Sequence, residues 1–547
     1  MLGRTRRGTT LAGVLEDLSV EVGSPRPSVV AVIAADRRRL ARMRPRALAS
    51  SGVQVVELVA PGNEGIDRAL SRYSGSGLVV VDTRHSYGPA QLRAFRQLFL
   101  HLAEGDVWLA LRSQRVPGGK PERLVGLARL FETRQPRQLR HRWRELRRST
   151  GRVLTTTTWV AFEKAGTHLL KLRDRDATAV LAARESELRV REIGSLPSGS
   201  LSVAGVMIDH GGGSQHRFPD RLDYPEARIR VYEGPVSQPT PSLALHGRSV
   251  LPDSFRWHLA PNPTNRGLRD IDARFAQLRA HADERHLTGS YYFFGYNHPG
   301  HFGHLMTEAV AKLWGWDAAK ADDPSLKILC KQHPQRPRPV ENRLENLLLP
   351  AYGIDPGDIV WAAGPVVVDR LVGVTPLWHN SHPYYVHPAL TRDWDRLRKG
   401  LPSVSVPPSP KIFVTRRRRG NRVCRNGAEV EALFARHGFA VVRPETIPVP
   451  EQAALFAQAE VVAGFGGSGM FNLLFADVLE TLIVLNQSAY WGRSEHLFAA
   501  ALGVDSHFFW SDPDPGHPDG SYEAHQASWT FDFDRNAASL TDLLRSL

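Results

Sequence analysis

Lys411-Ile-Phe-Val-Thr-Arg-Arg-Arg-Arg419, followed further along by Gly464-Phe-Gly-Gly-Ser-Gly-Met-Phe-Asn472, decides the fold. A short apolar run reads as a strand buried on both faces, as in a parallel sheet. This one ends in arginines. Glu460-Val-Val-Ala463 is a second such run, and it ends in a glycine-rich turn. Ligands of open α/β sheets bind at the carboxyl ends of the strands. Arginines and bare backbone N–H groups are what proteins use to hold phosphate. Together the two elements predict an α/β half-domain for a nucleotide-diphosphate donor, and an enzyme rather than a scaffold.

Reading outward, the pattern predicts strands at 411–415, 440–442, 460–463 and 481–485, with helices at 426–437, 450–458 and 470–475. The proline-rich stretch 402–410 precedes them as a semi-rigid linker. Residues 220–401 read as a second α/β half, so 220–401 and 402–547 form two Rossmann-like halves with a cleft between them, the GT-B architecture. At the amino terminus, apolar runs at 28–35, 53–59, 77–82 and 107–111 alternate with helical stretches at 37–50, 65–73 and 89–103. That alternation predicts a doubly wound parallel sheet. The fold class is therefore α/β: a Rossmann-like domain at 1–152, an appended β-rich segment at 153–219, then the two halves. The main boundary is expected near 211–220. The arginine-dense stretch 134–152 reads as a basic amphipathic helix, with Leu139, Trp143 and Leu146 on one face. It is either a solvated helix docked by a narrow stripe or a surface for anionic lipid or polymer.

The 547 residues are 42% hydrophobic and 23% charged, a globular composition with a formal net charge of +14. Arginine is spread through every segment, so the charge reflects the sequence at large as readily as an anionic partner. There is no zinc-finger spacing, RNP-like motif or basic zipper, and no nucleic-acid partner is expected. Two cysteines, Cys330 and Cys424, make neither a disulfide framework nor a zinc set. The basic start lacks an apolar signal core, and no stretch of 18 apolar residues follows. These features predict a cytoplasmic protein. Peripheral attachment at the inner membrane face stays open, as does oligomerisation.

A third stretch carries chemistry: Tyr291-Tyr-Phe-Phe-Gly-Tyr-Asn-His-Pro-Gly-His-Phe-Gly-His-Leu-Met-Thr-Glu308. His301, His304 and Glu308 share a face if the segment is helical. They fit a metal site, an acid/base pair with substrate binding, or a packed helix start. No further ligand of clear zinc spacing accompanies them. Among the arginines, Arg416 and Arg417 follow the strand most directly. The glycine turn has no Gly-Lys-Ser/Thr and so is not a P-loop.

Taken together, these stretches resemble glycosyltransferase family 61. The resemblance rests on Asn297, His304, Glu308 and Lys312-Leu-Trp314; on Val414-Thr-Arg416, Asn426-Gly-Ala-Glu429 and Gly438-Phe-Ala440; on Glu451-Gln452, Leu455-Phe456 and Ala459; and on Gly467-Ser-Gly-Met-Phe-Asn472 with Leu474-Phe475. It covers roughly residues 220–547. One departure stands out: Gly466 occupies a position where the family often carries a histidine. The resemblance implies an inverting transfer from a nucleotide-diphosphate sugar to a hydroxyl acceptor, in capsular polysaccharide or other glycoconjugate assembly in a bacterium. No cofactor or metal is required. It implies Glu308 or His304 as base or acceptor binder, with Asn297 and His301 on the acceptor. Arg416, Arg417, Glu451, Gln452, Gly467, Ser468, Gly469 and Asn472 fall to the donor.

The amino-terminal stretch Leu78-Val-Val-Val-Asp-Thr-Arg-His-Ser-Tyr-Gly88, with 99–108, resembles the fourth and fifth strands of a class I methyltransferase sheet. The first loop, Ile33-Ala-Ala-Asp-Arg, lacks the glycines that hold S-adenosylmethionine, so a degenerate domain for docking or oligomerisation is expected. Two alternatives to the glycosyltransferase reading are a non-catalytic GT-B scaffold and a methyltransferase whose carboxyl half recognises sugar.

Overall fold

Strand Lys411–Val414 pairs on one side with Ala440–Val442 and on the other with Val461–Phe465, all parallel. Thr481–Gln487, Asp505–Ser511 and Met207–His210 continue the sheet, again parallel. Its first five strands therefore run second, first, third, fourth, fifth in chain order. The order reverses between Lys411–Val414 and Val461–Phe465, which makes their carboxyl ends the switch point where ligands of such sheets bind. Helices Gly427–Arg436 and Val449–Ala457 form the crossovers. Strand Val461–Phe465 is buried throughout, as its unbroken apolar run requires.

This computed structural model describes all residues except 1–10, 23–26, 44, 46–47, 49–51, 60–65, 67–69, 71, 85–88, 113–122, 135–140, 185–186, 212–217, 333–338, 418–419 and 519. Most of the 65–73 helix, His85 and Tyr87 of the methyltransferase-like stretch, Leu139, Arg418, Arg419 and most of the expected 211–220 boundary lie outside the described residues. The chain divides into two units: Met1–Arg189 with Leu245–Leu251 and Arg266–Ala280, and Val190–Ala244 with Pro252–Asn265 and His281–Leu547.

The second unit contains the sheet above and another. In the latter, Ala227–Thr240 runs antiparallel to Val366–Val374, which continues in parallel through Arg285–Phe293, Lys327–Lys331 and Ile359–Ala362. Arg285–Phe293 delivers the chain to the 294–308 stretch. There a helical run begins at Phe302 and continues to Asp322. Its hydrogen bonds widen by one residue over Leu305–Ala309 and tighten over Val310–Gly315. Such irregular turns within a helix often mark functional sites.

In the first unit, Gln54–Val59, Val29–Ala34, Leu78–Asp82 and Val107–Leu111 are parallel. The hairpin Thr150–Thr155 with Trp159–Lys164, from the stretch read as connecting, completes that sheet on the Val107–Leu111 side. Leu169–Lys171 pairs with Ser249–Val250 on one side and with the hairpin Leu268–Asp270 and Phe275–Leu278 on the other. The basic helix spans His141–Arg148, and several of its arginines are internal ties. Arg147 Nε donates to the Phe131 carbonyl at 2.7 Å, and Arg148 pairs with Glu145 at 2.9 Å. Among the described residues no helix is long and apolar enough to cross a membrane.

Candidate active site

The chain leaves strand Lys411–Val414 at the switch point, and Arg416 turns toward the glycine turn. Gly467 has φ 142°, a backbone that favours glycine. A Cβ built there would lie 3.6 Å from an Arg416 Nη and 3.7 Å from an Arg422 Nη, so two guanidinium groups face the bare turn. Arg422 also has positive φ, at 56°. Its amide donates to the Gln526 carbonyl at 3.0 Å, and its guanidinium lies 4.7 Å from the Tyr490 ring centroid. Burial and the neighbouring Arg422 lower Arg416 to about 10, so it remains charged at neutral pH. Two cations held close together favour an anion between them. The exposed Arg417 takes a different role: its amide donates to Glu445 Oε1 at 2.9 Å.

The glycine turn differs from the sequence expectation in one atom. The Gly467 amide is not available to a phosphate, because it donates to Glu495 Oε1 at 2.7 Å. Glu495 is buried at the start of helix Ser494–Leu502, and burial pushes its carboxyl up. Ser468 and Gly469 open a tightly wound helix, Ser468–Phe475, at the cleft wall. Gly466 has its own reason to be glycine. A Cβ there would come within 2.2 Å of Asn486 Nδ2, so Asn486 fills the space a larger residue would need. Gly466→His should cost about 1–3 kcal/mol by overpacking, seen as a lowered unfolding midpoint, and adding Asn486→Ala should recover most of it.

The second wall is formed by Gly300, His301 and Phe302 of the 297–308 stretch, while Asn297 and Glu308 line a separate small pocket with Arg256. His304 Nδ1 bonds Glu308 Oε1, one helical turn on. Glu308 is buried, and its Oε2 accepts the Asn297 amide at 3.0 Å. Arg256 Nε stands 2.9 Å from Glu308 Oε1. Burial pushes the Glu308 carboxyl up, but Arg256, His304 and the Asn297 amide outweigh it and hold the group below its ordinary range. Glu308 is thus an anion with both oxygens engaged. His301 precedes the helix, borders the cleft and meets the His304 ring edge-on at 4.8 Å. Enclosure, His304, Arg256 and Arg422 together keep its imidazole below the usual value. Gly303 brings the two walls together: a Cβ there would lie 3.0 Å from Ser468 Cβ.

Three other predicted residues serve the scaffold. Gln452 borders the cleft as expected, but it is buried, donates to the Pro444 and Ile447 carbonyls at 2.9 Å, and accepts from Asn472 Nδ2 at 2.8 Å. The Gln452–Asn472 pair ties helix Val449–Ala457 to the segment after the glycine turn. The Asn297 side chain accepts from Ser242 Oγ at 3.1 Å, so Asn297 braces Glu308. Glu451, beside Gln452, is not among the residues lining the cleft.

Between the walls lies a cleft of about 800 Å³ bordered by His301, Arg416, Arg417, Glu445, Ser468 and Gly469. That volume suits a small-molecule ligand. Among the described residues, no group of three or more His, Cys, Asp or Glu side chains stands where it could share a metal ion. Sequence reasoning missed Arg256, Glu495 and Arg422.

Two guanidinium groups clustered at a glycine turn could hold an anion, and a histidine–carboxylate pair could move a proton. The family model described as Glycosyltransferase 61 matches residues 302–483, a third of the chain. The carboxyl-terminal half thus carries a glycosyltransferase 61 region, and with it the activity of a glycosyltransferase. The match takes in His304, Glu308, Arg416, Arg422 and the glycine turn, and leaves out Arg256 and Glu495. No curated protein matches the chain.

Proposed function

We propose that the carboxyl-terminal half is an inverting glycosyltransferase with a GT-B type pair of halves. It moves a sugar from a nucleotide-diphosphate donor to a hydroxyl acceptor in polysaccharide or glycoconjugate assembly. The observation that carries this is the pairing of Arg416 and Arg422 at the sheet's switch point with the Glu308-braced His304. The acceptor oxygen attacks the anomeric carbon as the bond to the diphosphate oxygen breaks, and the electron pair leaves with the diphosphate. Since Nδ1 of His304 is committed to Glu308, Nε2 is the nitrogen that takes the acceptor's proton. Glu308 aligns the ring; buried, ionised and doubly bonded, it is a poor base itself. Arg416 and Arg422 balance the charge on the departing diphosphate. His301 contacts acceptor or donor at the cleft rim. The reading needs no metal and no cofactor.

For the amino-terminal unit we propose docking or oligomerisation. Asp82, at the end of strand Leu78–Asp82, is fully buried and paired with Arg84 at 2.7 Å, while Asp36 accepts the Arg39 amide at 2.7 Å. Both carboxylates at that edge are thus engaged internally.

A thermal-shift panel of nucleotide-diphosphate sugars, with S-adenosylmethionine alongside, tests both readings. One diphospho-sugar, or the nucleoside diphosphate alone, should raise the unfolding midpoint, and S-adenosylmethionine should not. A response to S-adenosylmethionine alone would favour methyl transfer, and no response to any member would favour a scaffold.

A further inference from the structure

Arg256 lies outside the family-matched segment, on a short buried stretch far from the 302–308 helix in sequence. Its Nε is 2.9 Å from Glu308 Oε1, the oxygen that His304 Nδ1 also bonds. Its place is fixed from two sides: the guanidinium sits 4.9 Å from the Trp257 ring centroid, and an Nη lies 3.4 Å from Asn380 Oδ1. Trp257 Nε1 donates to the same Asn380 oxygen at 3.0 Å, and Asn380 Nδ2 donates to Ser494 Oγ at 3.1 Å. A residue held this firmly against a buried carboxylate does more than fill space.

A carboxylate alone beside an imidazole stabilises the imidazolium and so delays the appearance of a free base. A fixed guanidinium on the same oxygen opposes that pull. We propose that Arg256 is a positioning residue for the reaction: it neutralises Glu308, so the carboxylate can align His304 through Nδ1 without drawing a second proton onto the ring. This rests on the reading of His304 as the base. The other charged or titratable groups facing the pair are His298, whose ring centroid lies 5.0 Å from that of His304, Lys312, whose Nζ bonds the Gly295 carbonyl, Asp253 beside Lys312, and His301 and Arg422 on the cleft side. None of these bonds either Glu308 oxygen, whereas Arg256 and the Asn297 amide are in contact with them.

The sign follows. Without Arg256, the His304–Glu308 pair holds its proton to higher pH, so the pH at which the base becomes free rises. The test uses Arg256→Met, Arg256→Lys and the double variant Arg256→Met/Glu308→Gln in the full chain. Two readouts serve: the pH dependence of transfer, and histidine-labelled NMR titration with His304→Ala to assign the ring. In Arg256→Met the His304 titration and the acid limb of the rate profile should both move up by about one pH unit. Arg256→Lys should restore most of the shift, and the double variant should return the ring titration toward wild type. An unmoved titration and limb, with only a lowered unfolding midpoint, would overturn the proposal and leave Arg256 as packing. A shifted NMR titration in a protein that transfers no sugar would uphold the charge balance and refute the glycosyl-transfer reading instead. If Arg256→Met does not fold, Arg256→Gln takes its place: an upward His304 titration that Arg256→Lys does not show supports the proposal, and identical titrations in the two variants overturn it.

Discussion

His304→Ala should lower the rate of sugar transfer by about 10²–10⁴-fold while leaving donor binding intact, the range expected for loss of a general base. The size follows from geometry. The ring stands against His301 of the cleft and is aimed by a buried anion, and that anion is itself in contact with Arg256 and the Asn297 amide. Removing the imidazole removes proton acceptance without touching Arg416, Arg422 or the glycine turn. Turnover should therefore collapse, and stabilisation by the nucleoside diphosphate should stay the same. Glu308→Gln separates base from aligner. If Glu308 only aligns, the variant retains a pH-dependent rate set by the imidazole, at a reduced plateau. If His304→Ala keeps its rate and Glu308→Gln abolishes it, the roles assigned here are reversed. Single-turnover kinetics with saturating donor would show which outcome holds.

The carboxyl-terminal sheet was legible because its central strands are unbroken apolar runs between helical stretches, buried on both faces, while the edge strand Ala440–Val442 is largely exposed. The switch point, and with it the importance of Arg416, followed from strand order. The Met207–His210 strand was not legible. It reaches the sheet from far away in sequence and pairs with Asp505–Ser511, whose histidine and serines mask its apolar character. At the site, local spacing revealed the His304–Glu308 pair because one helical turn separates them. Arg256, Asn380 and Glu495 act across tertiary contacts, and nothing in their flanking residues marks them. Glu495 shows the limit of motif reading most clearly. A glycine turn suggests free amides, yet a buried carboxylate from the next crossover helix already occupies the Gly467 amide. Gln452 and Asn472 carried the family likeness because they hold the turn in place.

Arg416→Ala and Arg422→Ala should each weaken nucleoside-diphosphate binding by roughly ten- to a hundredfold, about 1.5–3 kcal/mol for a charge-assisted contact. The protein without ligand should respond in the opposite sense. Burial and the neighbouring Arg422 already oppose the charge on Arg416, whose own recorded hydrogen bond is one Nη to the Asn421 carbonyl at 3.1 Å. Truncating Arg416 relieves that repulsion, so its unfolding midpoint without ligand should hold or rise, whereas Arg422→Ala also gives up the stacking on Tyr490. A structural arginine behaves otherwise: breaking the Arg398–Asp477 pair, for instance, cannot stabilise by this route. Arg416→Lys keeps the charge but loses the planar fork and should fall between wild type and alanine. Calorimetry with the nucleoside diphosphate at two salt concentrations reads the effect. The wild type should lose affinity as salt rises, and each alanine variant should lose less, because one fewer cation is being screened. Full diphosphate affinity in both alanine variants would place the anion elsewhere in the cleft and return both arginines to the scaffold.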